Sequence, residues 1–426
     1  MPQPSTSAPP GAIPVNRHPF RVLSPAVAVA GMLVGCGGAP VELEMAEGTR
    51  VEVVTGGAIE SGMPNFARHH GTLLLSHLER RSDERWALRV TEVAADGSVV
   101  SGGDVVERDD FFVNWADFPS VTPFGSSGAA WAAHWLQRGP HGGYDYGVRL
   151  SVSDDGGATW GESWTPHEDE TSTEHGFVSI LPTDEAFELI WLDGRQFAEG
   201  RERMQLRAGR GGLSGAIGVE RVVDELVCDC CQTDVAPTDA GAVAVYRNRT
   251  GDEIRDVHAA RWDRTTGSWT LLGPVHEDGW RIAACPVNGP AVATDGARTA
   301  VAWFTAAGDV PAVHLAVAGP EAEEFSPPVR IDRGAPVGRV DVQFDAAGDP
   351  WVLWMESVAD GGAELLLARV EAGRAVDRLL RIAELGAARG TGFPRFVFLE
   401  GGSALVAWTD LDGDERRLRL LKLPTG

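Results

Sequence analysis

The sequence predicts an all-β fold, a single β-propeller of seven four-stranded blades with six as the alternative count, and three observations carry that prediction. First, an apolar strand ending in an aromatic residue recurs: Ala132-Ala133-His134-Trp135, Leu189-Ile190-Trp191, Val243-Ala244-Val245-Tyr246, Val301-Ala302-Trp303, Val352-Leu353-Trp354 and Val406-Ala407-Trp408. Second, these aromatic positions fall 56, 55, 57, 51 and 54 residues apart, and a weaker seventh copy, Leu73-Leu74-Leu75-Ser76-His77, ends 58 residues before Trp135. Third, 52 Gly and 26 Pro in a chain that is 43% hydrophobic suit many short strands divided by turns.

Each marker strand follows another short apolar strand across a Gly/Asp turn, as in 118–123, 177–181, 290–293, 340–344 and 393–398. Two more strands fit into each period, for example 147–153 and 162–166. Four antiparallel strands per repeat of about 50 residues is the arithmetic of a propeller blade, whereas a helical solenoid would show a 3.6-residue period. Two β-sandwiches in series would not space the markers so evenly. The last repeat runs out after a third strand, 417–423, so the segment 50–55 is expected to complete that blade and close the ring. Closure removes an edge that would otherwise invite aggregation.

The N-terminus predicts export. Arg17 and Arg21 precede an apolar run that ends in Leu33-Val34-Gly35-Cys36, the pattern of a signal peptide with a lipobox. The expected organisation is a lipoprotein signal peptide over 1–35, a short tether over 36–49 and a propeller over 50–426, with lipidation at Cys36. The apolar run is too short to span a membrane comfortably. Localisation follows as the bacterial cell envelope, lipid-anchored at the periplasmic face or at the outer membrane or cell surface. The formal charge of −24 argues against a nucleic-acid partner, and loss of residues 1–35 removes two arginines and no acid. The chain is read as a monomer.

Ser153-Asp154-Asp155-Gly156-Gly157-Ala158-Thr159-Trp160 fills every position of the Asp-box pattern, and a degenerate copy, Trp262 to Trp269, sits two repeats later. On these motifs the chain resembles the sialidase-like (BNR/Asp-box repeat) superfamily over nearly all of the segment after Cys36. The resemblance implies a propeller in which Ser153, Asp155, Gly157, Thr159 and Trp160 build a structural turn on the outer rim. It also implies an arginine trio, an acidic acid/base and a late tyrosine nucleophile if the chemistry were a sialidase's. The tyrosines here are Tyr144, Tyr146 and Tyr246, none in the last three repeats, so the resemblance carries the fold and not the activity.

Cys228-Asp229-Cys230-Cys231 opens the fourth repeat, and Cys285-Pro286 lies in the segment that opens the fifth. Cys228 stands 18 residues before Tyr246 and Cys285 stands 18 before Trp303, so the two occupy equivalent positions in adjacent blades. With the stretches 255–258 and 279–290, this Cys-x-Cys-Cys…Cys-Pro signature resembles that of a subgroup of sialidase-like bacterial proteins, from which no activity transfers. In an oxidising compartment, one disulfide to Cys285 is easy, and a Cys228–Cys230 or Cys230–Cys231 bridge is strained. A soft metal site for copper or zinc, with His258 and His276 as extra ligands, is the alternative, and a reactive thiol is the third.

Propellers bind ligands where the approaches to the innermost strands converge. That criterion selects Asp117, Asp193, Arg195, Arg339, Asp341 and Arg395 as candidate catalytic groups, because hydrolysis of a glycosidic bond needs a pair of carboxylates. Asp234 and Arg249 lie in the same zones. Asn65, His175, Arg247 and Asn288 are candidate ligand-binding residues, with Trp115 and Trp280 as stacking surfaces outside the marker series. The functional reading is a propeller that binds a glycan or other small extracellular ligand and is a candidate glycoside hydrolase. A non-enzymatic copper or zinc protein built on the cysteines and a scaffold for another envelope protein are the alternatives.

Overall fold

The computed structural model describes residues 41–53, 55–413 and 415–425. The signal peptide and Cys36 therefore lie outside the described residues. Seven small sheets form seven blades. Blade 1 runs through Glu60–His69, Thr72–Arg80, Trp86–Val93 and Val99–Arg108; blade 2 through Ser120–Phe124, Ala130–Arg138 and Tyr146–Ser153. Blade 3 comprises His175–Pro182, Phe187–Asp193, Met204–Gly212 and Arg221–Val227, and blade 4 comprises Asp234–Pro237, Gly241–Arg247, Val257–Asp263 and Ser268–Pro274. Blade 5 follows with Ala291–Thr294, Thr299–Thr305, Ala312–Ala318 and Val329–Arg330, then blade 6 with Pro336–Phe344, Pro350–Ser357, Gly362–Glu371 and Ala375–Gly386. Blade 7 holds Arg395–Phe398, Ala404–Asp412 and Glu415–Leu423.

Ring closure is as expected. Thr49–Val51 pairs antiparallel with Glu415–Leu423, with Arg50 opposite Leu421, and supplies the missing fourth strand. Just before it, Leu43–Met45, within the stretch read as a tether, pairs parallel with Ala375–Gly386 and adds a fifth strand to blade 6. The chain's start is thus sewn into two adjacent blades. The outer strand expected at 162–166 reduces to one reciprocal backbone pair, Leu150 N to Trp164 O at 2.8 Å and Trp164 N to Leu150 O at 2.9 Å.

The marker aromatics form the cores between blades. Trp191, Trp303 and Trp354 are fully buried, and each apolar cluster joins two neighbours: blades 1 and 2, 2 and 3, 3 and 4, 4 and 5, 5 and 6, 6 and 7, and finally 7 and 1. Facing sheets each bury one set of alternating side chains, so one strand pattern repeated seven times yields a closed ring of cores. The innermost strand of every blade lies against that of the next, around a central channel.

The Ser153–Trp160 turn is built as the motif requires. Asp155 accepts from Thr159 N at 2.9 Å and Thr159 Oγ1 at 2.7 Å, while Ser153 Oγ donates to it at 2.7 Å and accepts from Gly157 N at 2.8 Å. Gly157 has φ 81°, and a Cβ there would also collide with the Trp131 ring. In blade 4, Asp263 takes over the role, accepting from Thr266 N at 2.8 Å.

Candidate functional site: the central channel and the cysteine cluster

The two ends of the channel differ. At the end where the chain approaches the innermost strands, a plug closes it. Ala116, Phe177 and Phe393 are buried in one apolar cluster, with Trp115, Phe118, Cys230 and Val287 packed against it. The Trp115 and Phe393 rings stack at 6.0 Å, and Phe118 meets Phe393 at 6.0 Å. Arg339 lies over Trp115, its guanidinium carbon 5.0 Å from the ring centre, and donates to Thr391 Oγ1 at 2.6 Å and Gly392 O at 2.9 Å. Burial first, and then Arg389, lower its pKa to about 10.

Polar side chains of the plug link blade to blade. Asp117 Oδ1 accepts from Phe177 N at 2.8 Å, Gln232 Oε1 from Gly289 N at 2.9 Å and Asn288 Oδ1 from Arg339 N at 2.8 Å. The acceptors fit because glycine stands at each approach: a Cβ on Gly176 would collide with the Asp117 carboxylate, one on Gly338 with Asn288, and one on Gly289, itself the donor, with the Gln232 backbone. Met63, Phe177 and Arg339, the residues after Gly62, Gly176 and Gly338, have φ of 60°, 53° and 57°, a repeated bulge at the start of the innermost strands of blades 1, 3 and 6. Deeper in the channel, Asp234 Oδ2 accepts from Val292 N at 2.8 Å and Asp341 Oδ2 from Phe396 N at 2.9 Å.

Several sequence-selected residues are consumed by this plug. Arg247 is buried, donates to Asn288 O at 2.8 Å and Phe304 O at 2.7 Å, and stacks 4.8 Å from the centre of the buried Trp280 ring. Tyr146 Oη lies 3.0 Å from Asp117 Oδ2 and 2.6 Å from Glu174 Oε1. One hydroxyl proton cannot serve two carboxylates, so a second proton must reside on one of the acids. Burial accordingly raises Asp117 to about 8 and Glu174 to about 7.

His175, Asp193 and Arg195 come together elsewhere, in an ion network of blade 3. Asp193 accepts from Trp191 Nε1 at 2.8 Å and from Arg195 Nε at 2.7 Å, and Arg195 also grips Glu220. His175 Nε2 lies 3.1 Å from Asp169 Oδ1, and its ring stacks on His167 at 4.0 Å. Burial opposes ionisation of Asp193, but Arg195 and His175 hold it below the usual carboxylate range. The marker-x-acid pattern recurs: Glu356 accepts from Trp354 Nε1 at 3.0 Å, and Glu79 sits 3.1 Å from His77 Nε2.

At the opposite end, among the turns between first and second strands, the channel widens into a cavity of ≈ 1210 Å³ to which all seven blades contribute. Asn65, Asp117, Asp234, Asp341 and Arg395 line its deeper part, and a cleft runs from it between blades 3 and 4 past Glu188, Arg210, Arg221, Trp262 and Trp269. Burial pushes Asp341 up to about 7 against the pull of Arg395, and raises Asp234 as well. Glu188 is likewise raised to about 7 by burial, which outweighs Arg210 and Arg221. Arg395 stands over Phe118 at 5.1 Å. Of the sequence-selected residues, Asn65, Asp117, Asp234, Asp341 and Arg395 thus share one cavity.

The cleft residues were missed by the sequence reading, although one signal was present. Glu188 stands three residues before Trp191, where the other repeats carry Leu74, Ala132, Val243, Ala300, Trp351 and Leu405. A charge at a repeat position otherwise apolar marks a local departure from pure architecture.

On the rim of the plug, Cys230 and Cys285 form a disulfide with Cα atoms 5.9 Å apart. Cys228 and Cys231 are buried free thiols, their sulfurs 3.1 Å apart. Arg255 Nη1 donates to Cys228 Sγ at 3.3 Å. Burial would raise the Cys228 thiol, but the Cys231 hydrogen bond, the Cys230 N–H and Arg255 outweigh it and bring it to about 6; Cys231 is pushed up by burial. Three of the sulfurs lie close enough together to bind a metal ion, but Cys230 is committed to its bridge, which leaves two thiols for any soft metal.

No protein-family model matches the chain, and no curated protein matches its sequence. Among solved structures, the chain is similar to a protein of unknown function from Dyadobacter fermentans (12% identity, TM-score 0.48, covering 74% of this chain and 97% of that one). It is also similar to Penicillium chrysogenum alpha-L-arabinanase complexed with arabinobiose (12%, TM-score 0.45, 88% and 98%) and to Trypanosoma rangeli sialidase with the inhibitor DANA (8%, TM-score 0.45, 78% and 57%). At these scores the likenesses carry no argument about activity, and the seven-bladed assignment rests on the ladders and inter-blade cores described above.

Proposed function

We propose that the chain is an envelope-anchored propeller that takes a glycan, or another small hydroxyl-rich ligand, into the wide mouth of its channel. The observation that carries this reading is the cavity itself. It combines arginines (Arg68, Arg210, Arg221, Arg395), acids held near neutrality (Asp341, Glu188) and aromatic rings (Phe118, Trp269) on rigid strands. Sugars are recognised by such mixtures of directional polar groups and flat apolar faces. Asp341 and Glu188, each with a pKa of about 7, are the candidate proton donors should the ligand also be cleaved.

Calorimetric titration with neutral and acidic oligosaccharides tests binding. Saturable binding that weakens on Arg395→Met and Trp269→Ala is the expected result; no heat from any saccharide at millimolar concentration would sink the reading. A panel of chromogenic glycosides tests cleavage separately, with Asp341→Asn as the control. Anchoring rests on Leu33-Val34-Gly35-Cys36, and metabolic labelling with a fatty-acid analogue, lost in Cys36→Ala, is its test.

A further inference from the structure

We infer that the four clustered cysteines form a thiol–disulfide relay, which passes two electrons between the buried pair Cys228/Cys231 and the solvent-facing bridge Cys230–Cys285. A structural staple would need only the bridge. Here a free buried thiol, Cys228, stands 4.0 Å from the sulfur of Cys230 and 3.1 Å from that of Cys231, so one nucleophile has both a disulfide and a resolving thiol within reach. Cys285 sits in an exposed stretch with Ala283 and Ala284, while Cys228 and Cys231 are almost wholly covered.

The surroundings of Cys228 suit a thiolate. Its backbone N–H is fixed on Arg247 O at 2.9 Å, and Arg255, itself held by Glu253 Oε2 at 2.9 Å, presents its other terminal nitrogen to the sulfur. A cation locked beside a buried sulfur stabilises the reactive anion and lowers its pKa. The spacing Cys228-Asp229-Cys230-Cys231 gives the attacking and resolving sulfurs a Cys-x-x-Cys relationship, with the bridged cysteine between them.

The exchange balances without any outside reagent. The Cys228 thiolate attacks Cys230 Sγ, a Cys228–Cys230 bond forms, and Cys285 leaves and takes up the proton that Cys228 gave up. A Cys-x-Cys bridge is strained and therefore transient. Cys231 then attacks Cys228 Sγ, Cys230 leaves and receives the Cys231 proton, and a Cys228–Cys231 disulfide remains. Cys228 and Cys231 are oxidised, and Cys230 and Cys285 are reduced. In the second state the exposed Cys285 thiol can exchange with an external disulfide, and in the first the bridge can be opened by an external dithiol. The natural partner is thus a protein or small molecule carrying a dithiol/disulfide couple, docking at the 281–286 loop.

The experiment uses the full mature chain, purified without reductant or chelator and incubated natively with N-ethylmaleimide and no other redox reagent. Mass spectrometry then maps the alkylated sites. The expected result is progressive alkylation of Cys285 and Cys230, matched by accumulation of a Cys228–Cys231 disulfide, because each trapped thiol pulls the exchange forward. Cys228→Ser should leave Cys285 unlabelled, Cys231→Ser should stop at a Cys228–Cys230 bridge with Cys285 labelled and Cys230 protected, and Arg255→Met should slow labelling roughly tenfold near neutral pH. Unlabelled Cys285 in the wild type, labelling that begins on Cys228 or Cys231, or equal Cys285 labelling in Cys228→Ser would each overturn the relay. So would a stoichiometric copper or zinc ion with Cys230 and Cys285 unbridged. Should a serine variant fail to fold by circular dichroism, the wild-type time course decides alone, since it compares sites within one chain.

Discussion

The two ends of the channel are made from the same seven innermost strands yet have opposite character. At the closed end the innermost strands of blades 1, 3 and 6 begin with a glycine and a bulge, the polar side chains Asp117, Gln232 and Asn288 accept N–H groups of the next blade, and apolar rings fill what is left. At the open end, among the described residues, charged side chains and separate aromatic rings line a cavity of ≈ 1210 Å³. The difference teaches that convergence of strand approaches does not by itself make a binding site. Where backbone groups crowd together, their hydrogen-bonding demands recruit the nearby polar side chains, and little remains for a ligand.

The sharpest way to break this contrast is to empty the plug. Phe393 is buried and holds Trp115 and Phe118 together. Phe393→Ala should cost about 3–5 kcal/mol of stability, read by denaturant unfolding, and should open the channel from end to end. A loss below about 1 kcal/mol would mean that the closed end is not the rigid end.

Next in size is a pH effect at the cavity floor. Asp341 has a folded pKa of about 7, above the roughly 3.9 of an unfolded aspartate, so the folded state holds its proton more tightly. Its contribution is fully present below the unfolded value and is lost as pH rises through the folded one, at up to about 1.4 kcal/mol per pH unit in between. Asp341→Asn keeps an acceptor for Phe396 N–H and has no proton to lose. The variant should therefore gain on the wild type steadily from about pH 4 to pH 7 and no further. Unfolding curves at several pH values that run parallel for the two proteins would show that the carboxyl is already ionised in the fold.

Smaller still is the effect of Arg395→Met on the open end. The side chain has no ion-pair geometry with Asp234 or Asp341 among the contacts of the described residues, and its cation–π stacking on Phe118 at 5.1 Å is worth about 0.5–1 kcal/mol. Stability should fall by no more than that, while saccharide affinity drops roughly tenfold or more. Loss of stability in excess of the loss of affinity would place Arg395 with the architecture.

Much of the fold was legible because the blade pattern is local and repeated. The seven marker strands, the ring-closing N-terminal strand and the Ser153–Trp160 turn all follow from strand period and turn chemistry. The site was less legible, for a physical reason. Asp117, Arg247, Asn288 and Arg339 were selected by their place in the chain, yet their surroundings are set by contacts with the next blade, some 40–60 residues away. Asp193 could have been set apart from the sequence, since Glu79 and Glu356 stand at the same offset from their own marker residues and make the same bond. The disulfide to Cys285 was foreseen as the easy one, but which of the other three cysteines took it depended on side-chain direction within Cys228 to Cys231.

The rim supplies the smallest effect and a control of opposite sign. Asp155 is exposed, and the Thr159 hydroxyl and N–H together with Ser153 Oγ pull its pKa down to about 2. Its stabilisation is present above the unfolded value of about 3.9 and fades as pH falls through about 2, the reverse of Asp341. Asp155→Ala should lower the melting temperature slightly at pH 7, leave saccharide binding unchanged, and lose its effect in strong acid. Asp263→Ala, at the degenerate turn of blade 4, should do less, because Asp263 makes fewer such bonds. A binding defect in Asp155→Ala would connect the rim to the cavity, and the separation between architecture and site drawn from the channel's two ends would then fail at its outermost point.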